Sequence, residues 1–445
     1  MILLERGTQS LNSKIPILMR LFLGLVYLFG LVLSFWFIEL CSKNTEWADF
    51  RLFWGVGQAL MAGKSALVYP SLSAFSFDQT IFNDGVPFLY PPNFAAFSVL
   101  FSPLPMETSY ALTRIFLGSI LVVSGLLYFK SLKGEDGVVA PSLLYLFLPP
   151  LLFFPVAESI GIGQLSIFLY LFPVIGSVVF VLGKRYFLAG LILGLVFLKP
   201  QPMPGLLWVF ITITISSWDD KLKWRRFFAG LGLMGLLNLA LALCFFGFQG
   251  ILGWLHGVNV WMSAYVWGSL DYYEPYWLIA SVPMVLGRLI REFYPEIFNP
   301  ILPQCISLSV YVLEALVIFI LSKSKSLTMR QKLEAATSFV VFSLPVAAPY
   351  MRVYDLAVFV APFWFVFFGS LKSLPGGRLL SIACILLITI IDLHLILVPQ
   401  QMANKFEHGN FLVASVCVLV WLSSMFLCLK NSHMFSGNGK NKSVT

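Results

Sequence analysis

Long apolar runs alternate with short polar breaks along nearly the whole chain, from Ile15 to Leu429. A bilayer span needs about 20 mostly apolar residues. Runs of that length recur here, too continuous for the weak two-residue alternation of membrane barrel strands. In lipid the backbone must satisfy its own polar groups, so the remaining solution is helical. The pattern predicts an all-α polytopic membrane protein with about 12 transmembrane helices. They fall near residues 15–39, 107–130, 138–155, 164–182, 186–199, 203–217, 227–247, 301–322, 335–349, 355–371, 378–398 and 410–429. Two stretches between them are long, 41–106 and 248–300, and both are rich in Trp, Tyr, Phe, Gly and Pro. Within the first, 50–61 and 93–100 suit short helices lying in the membrane interface. The expected organisation is one membrane domain over 1–430 and a polar tail over 431–445.

Composition agrees. Of the 445 residues 59% are hydrophobic and 11% charged, against roughly 25% charged in a soluble domain. The net charge of +8 is not a nucleic-acid signal. Most Lys and Arg residues lie in the short breaks, near 6–20, 130–133, 184–185, 221–226, 323–332 and 372–378, and after 430. The positive-inside rule places these breaks and the N-terminus on the inner side, where anionic membrane lipids are their partners. The first run, 15–40, is too long for a signal-peptide core and reads as a retained anchor. Cys41, Cys244, Cys305, Cys384, Cys417 and Cys428 form no Cys-x-x-Cys pair or Cys/His cluster and read as small packing residues.

With this orientation, polar residues gather at the outer ends of the spans. Glu46, Asp49 and Arg51 lie in "NTEWADFRLFWG" (44–55), Tyr90 in "FLYPPNF", Gln164 in "AESIGIGQLS", and Lys199 and Gln201 in "FLKPQP". His256 lies in "LHGVN", and Arg352, Tyr354 and Asp355 in "APYMRVYDL". Ionisable residues at membrane depth mark pathways or sites. This set suits transfer of a group from a lipid phosphate: a carboxylate to take the acceptor proton, and Lys199, Arg352 and Arg51 to hold the departing phosphate. Gln164, Gln201, Tyr90, Tyr354, His256 and Glu46 are candidate substrate contacts. Each residue also has a plain structural role. Asp49 can cap a helix starting near Phe50, and Arg51 and Arg352 can anchor at headgroups. Lys199 and Gln164 can end or cap spans, and Asp355 can pair with Arg352 or cap its own span. Tyr90-Pro91-Pro92 can simply shape its loop, and Asp392 and His394 can join helices.

The segment "ADFRLFWGVGQALMAGKSALVYP", then "FLYPPNFAAFSVLFSPLP", "GQLS" (163–166) and "LKPQP" (198–202), occur in that order. They resemble glycosyltransferase family 87, the polyprenyl-phosphate-mannose-dependent α-mannosyltransferases of the GT-C superfamily. Asp49-Phe50, Gly63, Tyr69, Tyr90-Pro91-Pro92 and the "SPLP" ending carry the resemblance, which covers most of 47–205 with a weaker match at 345–356. It implies a GT-C-type bundle with its site under the first loop, on the outer face of the cell (inner) membrane. It further implies a polyprenyl-phosphate-linked sugar donor, a glycolipid or glycan acceptor, inversion, no essential metal or other cofactor, and Asp49 as general base. Several relatives carry a histidine near the outer end of a late span, where this chain has Arg352, Tyr354 and Asp355. Transfer of another sugar and glycan polymerisation are the neighbouring readings. A lipid or glycan flippase or transporter is the rival class, although no related halves are visible.

Overall fold

The computed structural model describes residues 25, 28–36, 38–39, 48–69, 88–132, 143–200, 203–215, 221–261, 281–294, 296, 299, 301–348, 351–397 and 410–432. Every regular element among them is helical. Residues 28–36 are helical and are followed by α1 (Ala48–Met61), α2 (Pro92–Phe97), α3 (Met106–Leu132), α4 (Leu143–Leu152), α5 (Phe154–Gly161), α6 (Phe172–Leu182) and α7 (Tyr186–Leu193). Then come α8 (Met203–Ile215), α9 (Lys221–Trp261), α10 (Val282–Phe293), α11 (Ile301–Ser322), α12 (Met329–Ala347), α13 (Val360–Phe367), α14 (Gly377–Leu397) and α15 (Asn410–Lys430).

Among the described residues four stretches are long and apolar enough to cross a membrane: Met106–Leu132, Leu222–Asn259, Gln304–Ser322 and Leu412–Lys430. Helices stand at the other expected positions too, but several are short or irregular. α4 contains Pro149 and Pro150, and proline removes a backbone donor. A π-helical turn, Ile167–Leu171, leads into α6. A 3-10 turn, Gly194–Leu198, continues α7, and another, Val353–Phe359, leads into α13.

The second long segment, expected as a loop over 248–300, differs most from its expected form. The chain does not become a loop at 248: α9 breaks at Gly247, with φ 59° and ψ −171°, and resumes to Trp261. Only glycine adopts that backbone conformation readily. Later in the segment, α10 is capped by Ser281, whose Oγ accepts from the Met284 N–H at 3.4 Å and donates to the Ala348 carbonyl at 2.6 Å. This helix therefore sits against the far end of α12.

Small residues let the helices approach. A Cβ on Gly190 of α7 would run into the Phe227 carbonyl of α9, and one on Gly230 of α9 into the Phe187 carbonyl of α7. Such backbone contact is a recurrent way for helices to associate in lipid, where apolar side chains gain nothing by leaving the bilayer. The centre is aromatic: Trp364, Tyr128, Tyr170, Phe210, Phe339 and Phe359 are fully buried. Near the start of the chain, Glu39 pairs with Arg114 at 2.9 Å and Ser34 donates to the Leu151 carbonyl, fixing the first helix to α3 and α4. Cys384, Cys417 and Cys428 are buried packing residues as expected, whereas Cys244 and Cys305 are exposed.

One end of the bundle is closed by a buried polar network. Arg330 pairs with Glu334 at 3.1 Å and donates to the Ser131 carbonyl at 2.5 Å. Glu334 also accepts from Tyr128 at 3.2 Å and from the Ser370 N–H and Oγ, both at 2.8 Å. These bonds join α3, α12 and the segment after α13 among the Lys/Arg-rich breaks. The opposite end of α12, at Ala347, lies about 20–26 Å from Glu334 and Arg330 at 1.5 Å per residue.

Candidate active site

At that opposite end, four chain segments with irregular geometry come together. The first is "FLYPPNF". Pro91 is extended and Pro92 opens α2, the position where a missing N–H costs nothing. Tyr69 donates its hydroxyl to the Tyr90 carbonyl, and Trp254 donates to the Leu89 carbonyl at 3.0 Å. Burial pushes the Tyr69 phenol above its ordinary pKa, so it remains a donor. The Tyr90 ring stacks on Phe94 at 4.6 Å and meets Phe53 of α1 edge-on at 5.2 Å.

The second segment turns after α5. Gly163 has φ +72°, a glycine conformation, and lets the chain double back between α5 and the π turn. Gln164 is pinned by Ser159, which accepts its N–H and donates to its carbonyl, both at 2.8 Å. The Gln164 amide donates to the Tyr90 hydroxyl at 2.7 Å. Asp392 of α14 accepts from the Phe154 N–H at 2.9 Å, holding the start of α5, which is the inter-helix role expected of it. The His394 side chain lies outside the described residues.

The third and fourth segments carry opposite charges. Lys199 ends the 3-10 turn after α7, two residues beyond Phe197, whose carbonyl accepts from Asn93 at 2.9 Å. Asn93 also donates to Asn238 of α9 at 2.9 Å, so α2, α7 and α9 together fix the approach to Lys199. Asp355 lies in the 3-10 turn before α13. The Lys199 ammonium pairs with Asp355 Oδ1, and Ser166 Oγ donates to the same oxygen at 2.5 Å. The two charged side chains are only 4% and 7% exposed, so the pair is inside the protein. Three tyrosine rings face the ammonium, Tyr90 at 5.6 Å, Tyr170 at 5.1 Å and Tyr354 at 5.2 Å, within cation–π range. The half-buried Arg352 places its guanidinium over Tyr354 at 5.8 Å.

The structure thus brings Gln164, Tyr90, Lys199 and Tyr354 into one cluster, with Arg352 at its edge. Asp355 takes Lys199, not Arg352, as its partner. α1 begins at Ala48, so Asp49 lies inside its first turn and not at a cap before Phe50. The Asp49 side chain is outside the described residues, as are Glu46 and Gln201. The neighbour of Asp49 fixes where the helix starts. Phe50 is fully buried against Gly163 and packs on Tyr110 at 5.5 Å, while Tyr110 donates to the Gly161 carbonyl. The start of α1 therefore rests on the turn that carries Gln164. Arg51 is exposed on α1. His256 is half-buried in the resumed part of α9, two residues beyond Trp254. The sequence reading did not assign Ser166 or Tyr170. Their spacing of four places them on one helical face, the only local signal for either.

An all-helical membrane protein with an internally paired acid and base, walled by tyrosines at one end, is the class this architecture defines. The sequence model of glycosyltransferase family 87 matches residues 88–349, more than half of the chain and three of the four site segments; the turn carrying Asp355 follows just beyond it. The chain belongs to glycosyltransferase family 87. No curated protein and no solved structure matches it. Membership makes the protein a glycosyltransferase and decides between enzyme and transporter in favour of the enzyme.

Proposed function

We propose that the protein moves a hexose, mannose in the simplest case, from a polyprenyl-phosphate carrier to an acceptor hydroxyl on a glycolipid or glycan. The reaction takes place at the outer face of the cell membrane and inverts the anomeric carbon. The observation that supports this reading is the seating of Phe50 on Gly163, which rests the start of α1 on the turn leading to Gln164 and to Ser166, whose Oγ donates to Asp355 of the Lys199–Asp355 pair. Asp49 removes the acceptor proton as the oxygen attacks the anomeric carbon. The bond from that carbon to the phosphate oxygen breaks, and its electron pair leaves with the polyprenyl phosphate. Arg352, half-buried over Tyr354, offers a planar fork to the phosphate as charge develops. The prenyl chain stays in the bilayer, so the donor enters sideways and the acceptor from the outer aqueous side.

The test is Asp49→Asn in the full-length protein, assayed with polyprenyl phosphomannose in reconstituted membranes. Transfer should fall by about 10²–10⁴-fold, the usual contribution of a general base, with expression and donor binding near wild type. Full transfer by this variant would overturn the mechanism.

A further inference from the structure

The Lys199–Asp355 pair is incomplete in a specific way. An ammonium has three N–H donors and a carboxylate two acceptor oxygens. Among the described residues Lys199 gives one hydrogen bond, to Asp355 Oδ1. The same oxygen takes Ser166, and among the described residues no donor reaches Oδ2. Two ammonium donors and one carboxylate oxygen therefore remain side by side within a tyrosine-walled site.

The pair is also electrically balanced, which bears on what it can bind. A phosphate drawn to Lys199 would compete with Asp355 for the ammonium and leave a buried carboxylate uncompensated, a costly outcome. A neutral polyol does not disturb the balance. One hydroxyl donates to Asp355 Oδ2 while its neighbour accepts from the Lys199 ammonium, and the apolar C–H face of the ring lies on a tyrosine. Vicinal hydroxyls with an apolar ring face are the chemistry of a sugar.

We infer that the Lys199–Asp355 pair binds vicinal hydroxyls of the donor's sugar ring, with Tyr90, Tyr170 and Tyr354 as walls, and that the phosphate lies outside the pair against Arg352. This assignment rests on the polyprenyl-phosphate-sugar reading above and gives Lys199 a different task from phosphate anchoring.

Binding by the full-length protein in lipid nanodiscs tests it, with bare polyprenyl phosphate and polyprenyl phosphates carrying mannose, glucose, galactose or arabinofuranose as probes. The wild type should bind one sugar-bearing donor more tightly than the bare phosphate. Asp355→Asn should lose that preference, weakening the sugar-bearing donor by about tenfold or more, the scale of a hydrogen bond to a charged group, while bare phosphate binds within twofold of wild type. The paired variant Lys199→Gln/Asp355→Asn, which leaves no lone buried charge, should do the same and serves if Asp355→Asn does not fold. Arg352→Gln should weaken both classes of probe. Equal weakening of bare and sugar-bearing phosphate by the pair variants would overturn the assignment, as would a wild type that binds every probe alike, and either result leaves the donor class standing. A wild type that binds none of the probes would overturn the donor reading and the assignment with it.

Discussion

Replacing Gly163 with alanine should damage catalysis through the position of α1, and a second glycine provides the control. An added Cβ at Gly163 would stand 2.8 Å from the Cβ of Phe50. Carbon atoms pack at about 3.5–4.0 Å, so the turn and the start of α1 must separate by roughly 0.7–1.2 Å. The closest atom is the Phe50 Cβ itself, so rotation of the phenyl ring gives no relief. The new residue must also hold φ near +72°, costing roughly 1–2 kcal/mol. Gly63, at the end of α1, has φ +71° with nothing within 4 Å of its added Cβ. Gly63→Ala therefore carries the backbone strain without the collision. Both variants should lose stability in thermal unfolding, Gly163→Ala the more because it adds the collision to the strain. Only Gly163→Ala should lose kcat, by about 10²-fold, since a misplacement of about 1 Å costs that much in a positioned reaction. Transfer from polyprenyl phosphomannose in reconstituted membranes, with kcat and KM measured separately, is the assay. Wild-type kcat in Gly163→Ala, or an equal loss in Gly63→Ala, would refute the idea that this contact sets the base.

Two further outcomes concern the scaffold. Glu334→Ala leaves Arg330 buried beside Ser131 without its carboxylate and should cost about 3–5 kcal/mol. Arg330→Met/Glu334→Leu should recover most of that in thermal unfolding, and a double variant no more stable than the single one would contradict this. Gly190→Ala forces α7 away from the Phe227 carbonyl of α9 and should reduce the yield of monodisperse protein in size-exclusion chromatography. Gly118→Ala, where the added Cβ meets nothing within 4 Å, should leave that yield unchanged.

The sequence showed the apolar runs well, because burial in lipid demands a continuous signal. The run at 107–130 became Met106–Leu132 and that at 301–322 became Ile301–Ser322. Departures from regular helix were harder to read. Nothing in "GFQGILGWLHG" announces that helix resumes after Gly247, because a glycine in an apolar run is as compatible with a loop as with a single broken turn. The site was legible as a set of segments and not as a set of bonds. Lys199 and Arg352 were visible as cations at span ends, but the partner of Lys199 is 156 residues away. Asp355 seemed to belong to Arg352 only because the two are close in the chain. Tyr170 lies inside an apolar run, where its hydroxyl is no more conspicuous than any buried aromatic.

The two buried ion pairs on α12 and at the site differ in a way that separates fastening from binding. Glu334 takes four donors, two on each oxygen, from Arg330, Tyr128 and Ser370. Its capacity is filled by protein, as a buried polar network must be if it is to rigidify a fold. Asp355 is nearly as buried, but among the described residues it uses a single oxygen. The backbone follows the same division. Arg330 and Glu334 stand on a regular helix opened by a Thr328–Gln331 capping box, whereas the segments meeting at Lys199 are 3-10 turns, a π turn and a glycine reversal. In lipid, irregular backbone persists only where protein encloses it or where it lines a cavity, and π turns recur at functional sites. A site selected for stability alone would have filled the second oxygen of Asp355 and straightened its turns. That it did neither is the physical reason to place substrate there.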